Sequence, residues 1–370
     1  MGGRNVGFST KEAVASIMGA FREKHGIEGE ERAPVAMTGV KVASTHIADL
    51  PSGYSLHELS GENGLFAETA RWRLGTAEQS ALARNKGQRS LSIRSAAGNS
   101  KFILIVDSTL QSVVAIVSDI GTVSSIPNPC HVGRALLARG ISVDQHIHRF
   151  AMVRDNEGRR HFIDACPDRV ELGSDTYVHS TDPAVLPKVI VADGDFHIVD
   201  TQIARNTVSA NVRGTLGLRN VRGLTVPSHL NVGVDLCLQM SDADRLPMRF
   251  SVGRDLDIGL TRITELPDTF HVGRNIIANG ASISRLRGGL TVNGNFDLRD
   301  CPLSEVAWGL EVGGDLNLSG TNIKAVPGDC AVGGNLMVDE GVAVPSTVRL
   351  GGKLMYARPY GYETVSRPSN

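Results

Sequence analysis

A period of twenty residues governs this chain. The unit Leu310-x-Val312-Gly313-Gly314-Asp315-Leu316-x-Leu318, followed by Thr321, Ile323, Val326 and Pro327, recurs at lower numbers in steps of twenty. Counting back from Leu310 meets Leu290, Phe270, Phe250, Leu230, Ala210, Ile190, Val170, Phe150, Cys130 and Leu110, and counting forward meets Cys330 and Leu350; all are apolar. The Leu316 position repeats as Phe196, Leu216, Leu236, Leu256, Ile276, Phe296 and Leu336, with weaker matches at Asn156 and Thr176. Self-similarity at such a period is the signature of a solenoid, in which each turn buries its apolar face only against its neighbours.

Within one turn the apolar residues form two alternating pairs, Leu310/Val312 and Leu316/Leu318. That is how a strand buries one face. Gly313-Gly314 permits a tight corner between them, and Ser319-Gly320-Thr321 makes the next one. Ile323 and Val326 return to the core, and the Pro327 position recurs as Pro127, Pro167, Pro187, Pro227, Pro247 and Pro267. Proline donates no hydrogen bond and suits an irregular corner. The register runs from about Leu110 to residue 356, with a shortened last turn at Leu350-Gly-Gly-Lys-Leu354. About twelve turns stacked roughly 4.8 Å apart are expected.

The segment Leu316-x-Leu318-x-x-Thr321-x-Ile323-x-x-Val326-Pro327 resembles the leucine-rich repeat L-x-L-x-x-N-x-L-x-x-L-P, in the short bacterial class that includes secreted effectors of Gram-negative pathogens. The resemblance covers about residues 110 to 356. It departs at the asparagine, which is Thr321 here and Thr261, Ala281 or Cys301 in other turns, so an asparagine ladder is not expected. The added Leu-x-Val-Gly-Gly half-strand also suits a general β-helix. The fold class expected is mainly β: a right-handed, leucine-rich-repeat-like β-solenoid over residues 106–356. An α-helical or α+β cap region precedes it over 1–105, and a tail follows over 357–370.

In the first hundred residues, Ser9-Thr10-Lys11-Glu12 is a capping box opening a helix with Ala13, Val14, Ile17, Met18 and Phe21 on one face, ending near Gly26. Further helices are predicted over 65–74 and from Thr76 to Ala83. The short β-branched run Phe102–Val106 reads as a buried strand joining the cap to the solenoid.

Composition narrows the function classes. A net charge of −1, with 21% charged residues, gives no field for nucleic acid or an anionic membrane. No apolar run is long enough to span a bilayer, and none near the start resembles a Sec signal. Five cysteines without a CxxC pair suit a reducing compartment. The cytoplasm of the producing cell is therefore expected, with delivery into a host cell by a route other than Sec.

Chemistry-bearing patterns have ordinary structural explanations. The column Asp175, Asp195, Asp235, Asp255, Asn275, Asn295, Asp315, Asn335 could hold cations, but Asp and Asn after a glycine corner cap turns by bonding nearby backbone. His146, His148, His161, His179 and His197 fall at different repeat phases and do not converge as zinc ligands must. Cys130, Cys166 and Cys330 take core phases, whereas Cys237 faces outward as the most reactive thiol expected. Nucleotide, hydrolase and metalloprotease motifs are absent. Asp255, Asp257 and Asp297, with Arg254 and Arg274, could serve a glycan-acting β-helix enzyme, but no long insertions wall a groove.

No catalytic residue, metal or cofactor is therefore assigned. What remains is the outward surface: His131, Glu171, Asn211, Asn231, Ser251, His271, Thr291 and Glu311 on the first strand, and Tyr177, His197, Asp257, Asp297 and Asn317 on the second. Varied residues on a constant frame suit recognition. The function expected is non-catalytic binding of another protein or macromolecule, as a bacterial effector would do. A structural component of a phage-like assembly is the alternative, and a glycan-acting enzyme the second.

Overall fold

The structure is a computed structural model that describes residues 43–61, 64–65, 68, 72, 88–118 and 126–365. The chain divides into two compact units, Met1–Ile147 and His148–Asn370.

In the first unit, β1 (Ser44–Leu50), β2 (Tyr54–Leu59), β3 (Gln88–Arg94), β4 (Ser100–Asp107) and β5 (Ser112–Ser118) form one antiparallel sheet in chain order. The strand expected at Phe102–Val106 is β4, and it lies inside this sheet rather than joining a solenoid. Its residues Ile103, Leu104, Ile105 and Val106 are all buried, so both faces of the sheet are covered. Ile103 and Ile105 pack with Leu59, Leu65 and Trp72. A helix, α1 (Pro129–Leu137), buries Cys130, Val132 and Leu136 and begins with proline at its first turn, where the missing donor costs nothing. Of the helix expected over 65–74, Leu65 and Glu68 are helical. Those over 9–26 and 76–83 lie outside the described residues.

The second unit is the solenoid, of about nine turns. Its first strand column holds six parallel strands, from Arg169–Leu172 to Thr269–Val272, and then four more, from Thr291–Val292 to Arg349–Leu350. The second column is a single sheet, from Thr176–His179 to Leu354–Arg358. Partners differ by twenty residues, as in Ile190↔Ala210 and Phe296↔Leu316, until the last step shortens to Ala331↔Arg349. Inward residues such as Val252, Leu256, Ile258, Leu310, Leu316 and Leu318 are fully or almost fully buried. Each contributes about 1.5–3 kcal/mol of apolar burial. A third, mostly irregular side returns through Ile263 and Leu266, or Ile323 and Val326, to the same core.

The rungs begin at Arg169, later than the apolar register starting at Leu110, and are fewer than the twelve expected. Leu110 is an exposed turn residue between β4 and β5, Cys130 lies in α1, and Phe150 lies in a 3-10 segment. These elements bury apolar residues for their own reasons, so the Cys130 and Phe150 matches to the period carry no solenoid geometry. The first rung is instead met by a hairpin of Met152–Arg154 and Arg160–Phe162, whose Asn156 N–H donates to the Glu171 carbonyl at 2.8 Å. Buried Asp155 holds that hairpin's turn, accepting from Glu157 and Arg159 backbone N–H and from the Arg159 and His161 side chains.

Two corner devices explain how this sequence departs from the repeat it resembles. Asp200, Asn220, Met240, Leu260, Gly280, Asp300 and Gly320 all have φ between 51° and 71°, a left-handed corner repeated rung after rung. The next residue supplies a hydroxyl in four rungs: Thr201 donates to the Val199 carbonyl at 2.9 Å, and the other three reach back three residues. Ser241 donates to the Leu238 carbonyl at 2.6 Å, Thr261 to Ile258 at 2.7 Å and Thr321 to Leu318 at 2.6 Å. A hydroxyl reaching back three residues satisfies its own turn. An asparagine ladder at that position is unnecessary.

Candidate recognition surface

The alternation of each strand puts the two predicted sets on separate faces, because the glycine corner lies between them. On the first face Asn211, Asn231, Ser251 and His271 stand in register on adjacent strands, and Thr291 pairs with Glu311 on the later sheet. Glu171 is separated from Asn211 by Val191 and is held by Arg169 at 2.7 Å. Asn231 donates its amide to the Asn211 side-chain oxygen at 3.2 Å. His131 is not on either face; it belongs to α1 in the first unit, because its apparent phase came from a helix.

On the second face Tyr177, His197, Asp257, Asp297 and Asn317 share one column. Tyr177 stacks on His197 with ring centroids 4.6 Å apart and planes 3° from parallel. Asp297 is engaged by Arg299 at 2.7 Å. Asn317 is covered: only 8% exposed, it donates to the Tyr362 hydroxyl at 2.9 Å. Tyr362 belongs to Gly361–Val365, a strand that pairs antiparallel with Leu354–Arg358 where a tail was expected. Residues far apart in sequence make this contact, so the repeat gave no sign of it.

The acid/amide column acts differently from a local cap. Asp175 accepts from the backbone N–H of Asp195, Asp195 from Thr215, Asp235 from Asp255, and so on to Asn335 accepting from Lys353. Each side chain bonds the rung after its own, so the column ties turns together. Arg254 and Arg274 add bidentate bonds to Asp235 and Asp255. Asp255, a candidate for glycan chemistry, is thus fully engaged, and Arg274 holds its carboxyl below the usual range. Asp257 differs: burial pushes its carboxyl up, against the Gly259 N–H that it accepts at 2.9 Å.

The cysteines are free thiols. Burial pushes Cys166 up to about 12 and Cys301 and Cys330 up to about 11. Cys237 is half-buried, and burial raises its thiol too, helped by nearby Asp257. A thiol kept protonated is a weak nucleophile, though Cys237 is the one cysteine of the five that is not fully buried.

A shallow groove on the first face is lined by Ser209, Asn211, Ser228, His229, Asn231, Met248 and Arg249. Only the two asparagines were among the predicted residues. Each strand of this column has outward positions on both sides of its first inward residue, so Asn231 and His229 flank Leu230 on the same face. The alternation already implied His229 and Arg249. Ser228 and Met248 come from the preceding corner, whose direction depends on the backbone path. Comparisons with protein-family models, with curated proteins and with solved structures gave no match.

Proposed function

We propose that the solenoid is a non-catalytic recognition scaffold that binds another protein. The observation carrying this reading is the contrast between frame and face. Inward positions stay apolar, and the glycine corner and the inter-rung Asp/Asn bond recur in most rungs, whereas the outward in-register column runs Asn211, Asn231, Ser251, His271. A rigid frame lowers the ordering cost of the side chains it presents. The leucine-rich-repeat-like pattern in a short twenty-residue unit favours a bacterial protein, and an effector acting on a host partner is the role we assign. Among the described residues no helix is long and apolar enough to cross a membrane.

Partner capture with the full chain as bait tests this reading, against a variant carrying Asn211→Asp, Asn231→Asp and His271→Glu. Recovery of a partner by the native chain and its loss with the variant are expected. Equal recovery by both, or none in any host or producer extract, would sink it. The half-buried Asp257 supports one second reading, acid catalysis on a glycan. Its test is polysaccharide cleavage by the native chain that disappears in Asp257→Asn.

A further inference from the structure

The groove on the first strand face has a chemistry that narrows the partner. Arg249 is exposed and, among the described residues, makes no ion pair. Arg169, Arg213, Arg254 and Arg274 each hold a carboxylate. The groove lining contains no acid. On the corner that borders it, Asp168 is already held by Lys188 and Arg205, and Asp268 stands only in the rung after Met248. The cationic capacity of Arg249, with His229 one rung before it, is therefore unspent.

Two further features sit beside this charge. Asn211 and Asn231 are exposed and share one mutual hydrogen bond, which leaves amide donors and an acceptor for a main chain. Met248 is 75% exposed and Val208 51%, both at the same corner phase at the edge of the groove. A phosphate or a nucleic-acid backbone would use Arg249 but not the apolar pair. A purely apolar ligand would leave Arg249 stranded. Side-by-side carboxylate, amide and aliphatic groups are what an extended peptide offers.

We propose that this groove binds an extended acidic peptide segment of the partner, with carboxylates on Arg249 and His229, main-chain amides on the asparagines, and an aliphatic side chain against Met248. This rests on the protein-recognition reading above and names the chemistry of the segment. Binding is weakened by salt, because the pairs form at an exposed surface.

The test is fluorescence anisotropy with the full chain and a short labelled peptide of alternating Glu and Leu. The comparison probe is its Gln-for-Glu counterpart. Expected are saturable binding of the acidic peptide and at least about tenfold weaker binding of the Gln peptide and by Arg249→Glu. Arg285→Glu, the same charge change on the third side, should bind as the native chain does. Arg249 and Arg285 are both exposed, and unchanged circular dichroism and melting temperature establish that the variants fold. No binding by the native chain, equal binding of the Gln peptide, or an equal loss with Arg285→Glu overturns the proposal. So does Arg249-dependent binding to phosphatidylserine vesicles without peptide binding. Partner capture that survives Arg249→Glu removes the groove and leaves the recognition reading standing. Peptide binding with failed capture does the reverse.

Discussion

Gly253 and Leu260 occupy neighbouring corners of one rung and show opposite constraints. A Cβ at Gly253 would fall well inside contact distance of the Gly233 carbonyl oxygen, and Gly273 stands in the same relation to Gly253. Backbone cannot yield there without breaking the inter-rung hydrogen bonds Gly253 N–H to Val232 O and Gly273 N–H to Val252 O. Gly253→Ala should cost about 2–4 kcal/mol, read as a lower urea midpoint. Leu260 instead carries a side chain where φ is 56°, with its side chain more than half exposed. Apart from Met240, the other left-handed corners of this series carry Asp, Asn or Gly, the residues tolerated there. Leu260→Gly should therefore raise stability by about 0.5–1 kcal/mol, seen as a higher melting temperature. A drop would show that the exposed leucine packs usefully on Gly280, over which its Cδ2 lies.

At the scale of the repeated element, side-chain hydrogen bonds between rungs add to the apolar core. The Asp/Asn column was legible as turn-capping chemistry, but its direction was not. A side chain at one corner can reach its own turn or the next, and only the stacking distance and the backbone tilt choose between them. Asp255 shows the consequence for pH. Its folded pKa lies below the unfolded value, first through Arg274 and then through the Asn275 N–H. The stabilisation is present above the ordinary carboxylate value of about 3.9 and is lost as pH falls through the lower folded value. Asp255→Asn keeps an oxygen acceptor, as Asn275 and Asn295 do, and removes the charge. Urea titrations should show it about 1 kcal/mol weaker at pH 7, a figure discounted because Arg274 is half exposed. Native and variant chains should converge as the pH is taken below the ordinary carboxylate range. A constant difference across that range would mean that charge contributes nothing.

For the solenoid as a whole, stability is approximately a sum over rungs and the interfaces between them, so its ends decide how it frays. The Met152–Phe162 hairpin meets the first rung, and Gly361–Val365 closes the last sheet with Tyr362 over Asn317. Tyr362→Ala should increase amide exchange at Leu316, Leu336 and Leu354 while leaving Leu216 and Leu236 protected. Uniform loss of protection would show one cooperative unit instead of a stack that opens from its end.

The period, the inward residues and the glycine and proline corners were readable because stacked turns must repeat the same burial every twenty residues. Where the repeat starts was not. The helix α1 buries Cys130 and Leu136 as readily as a rung would, and apolarity at a fixed spacing records burial without naming the element that causes it. The candidate face was half legible, since alternation places Asn231, Ser251 and His271 outward. Folding alone decided that Tyr362 removes Asn317 from the surface and that the corner at Met248 borders the groove of Asn211 and Asn231. Those pairings depend on where a corner or a returning strand points, and no short-range pattern in the chain encodes that.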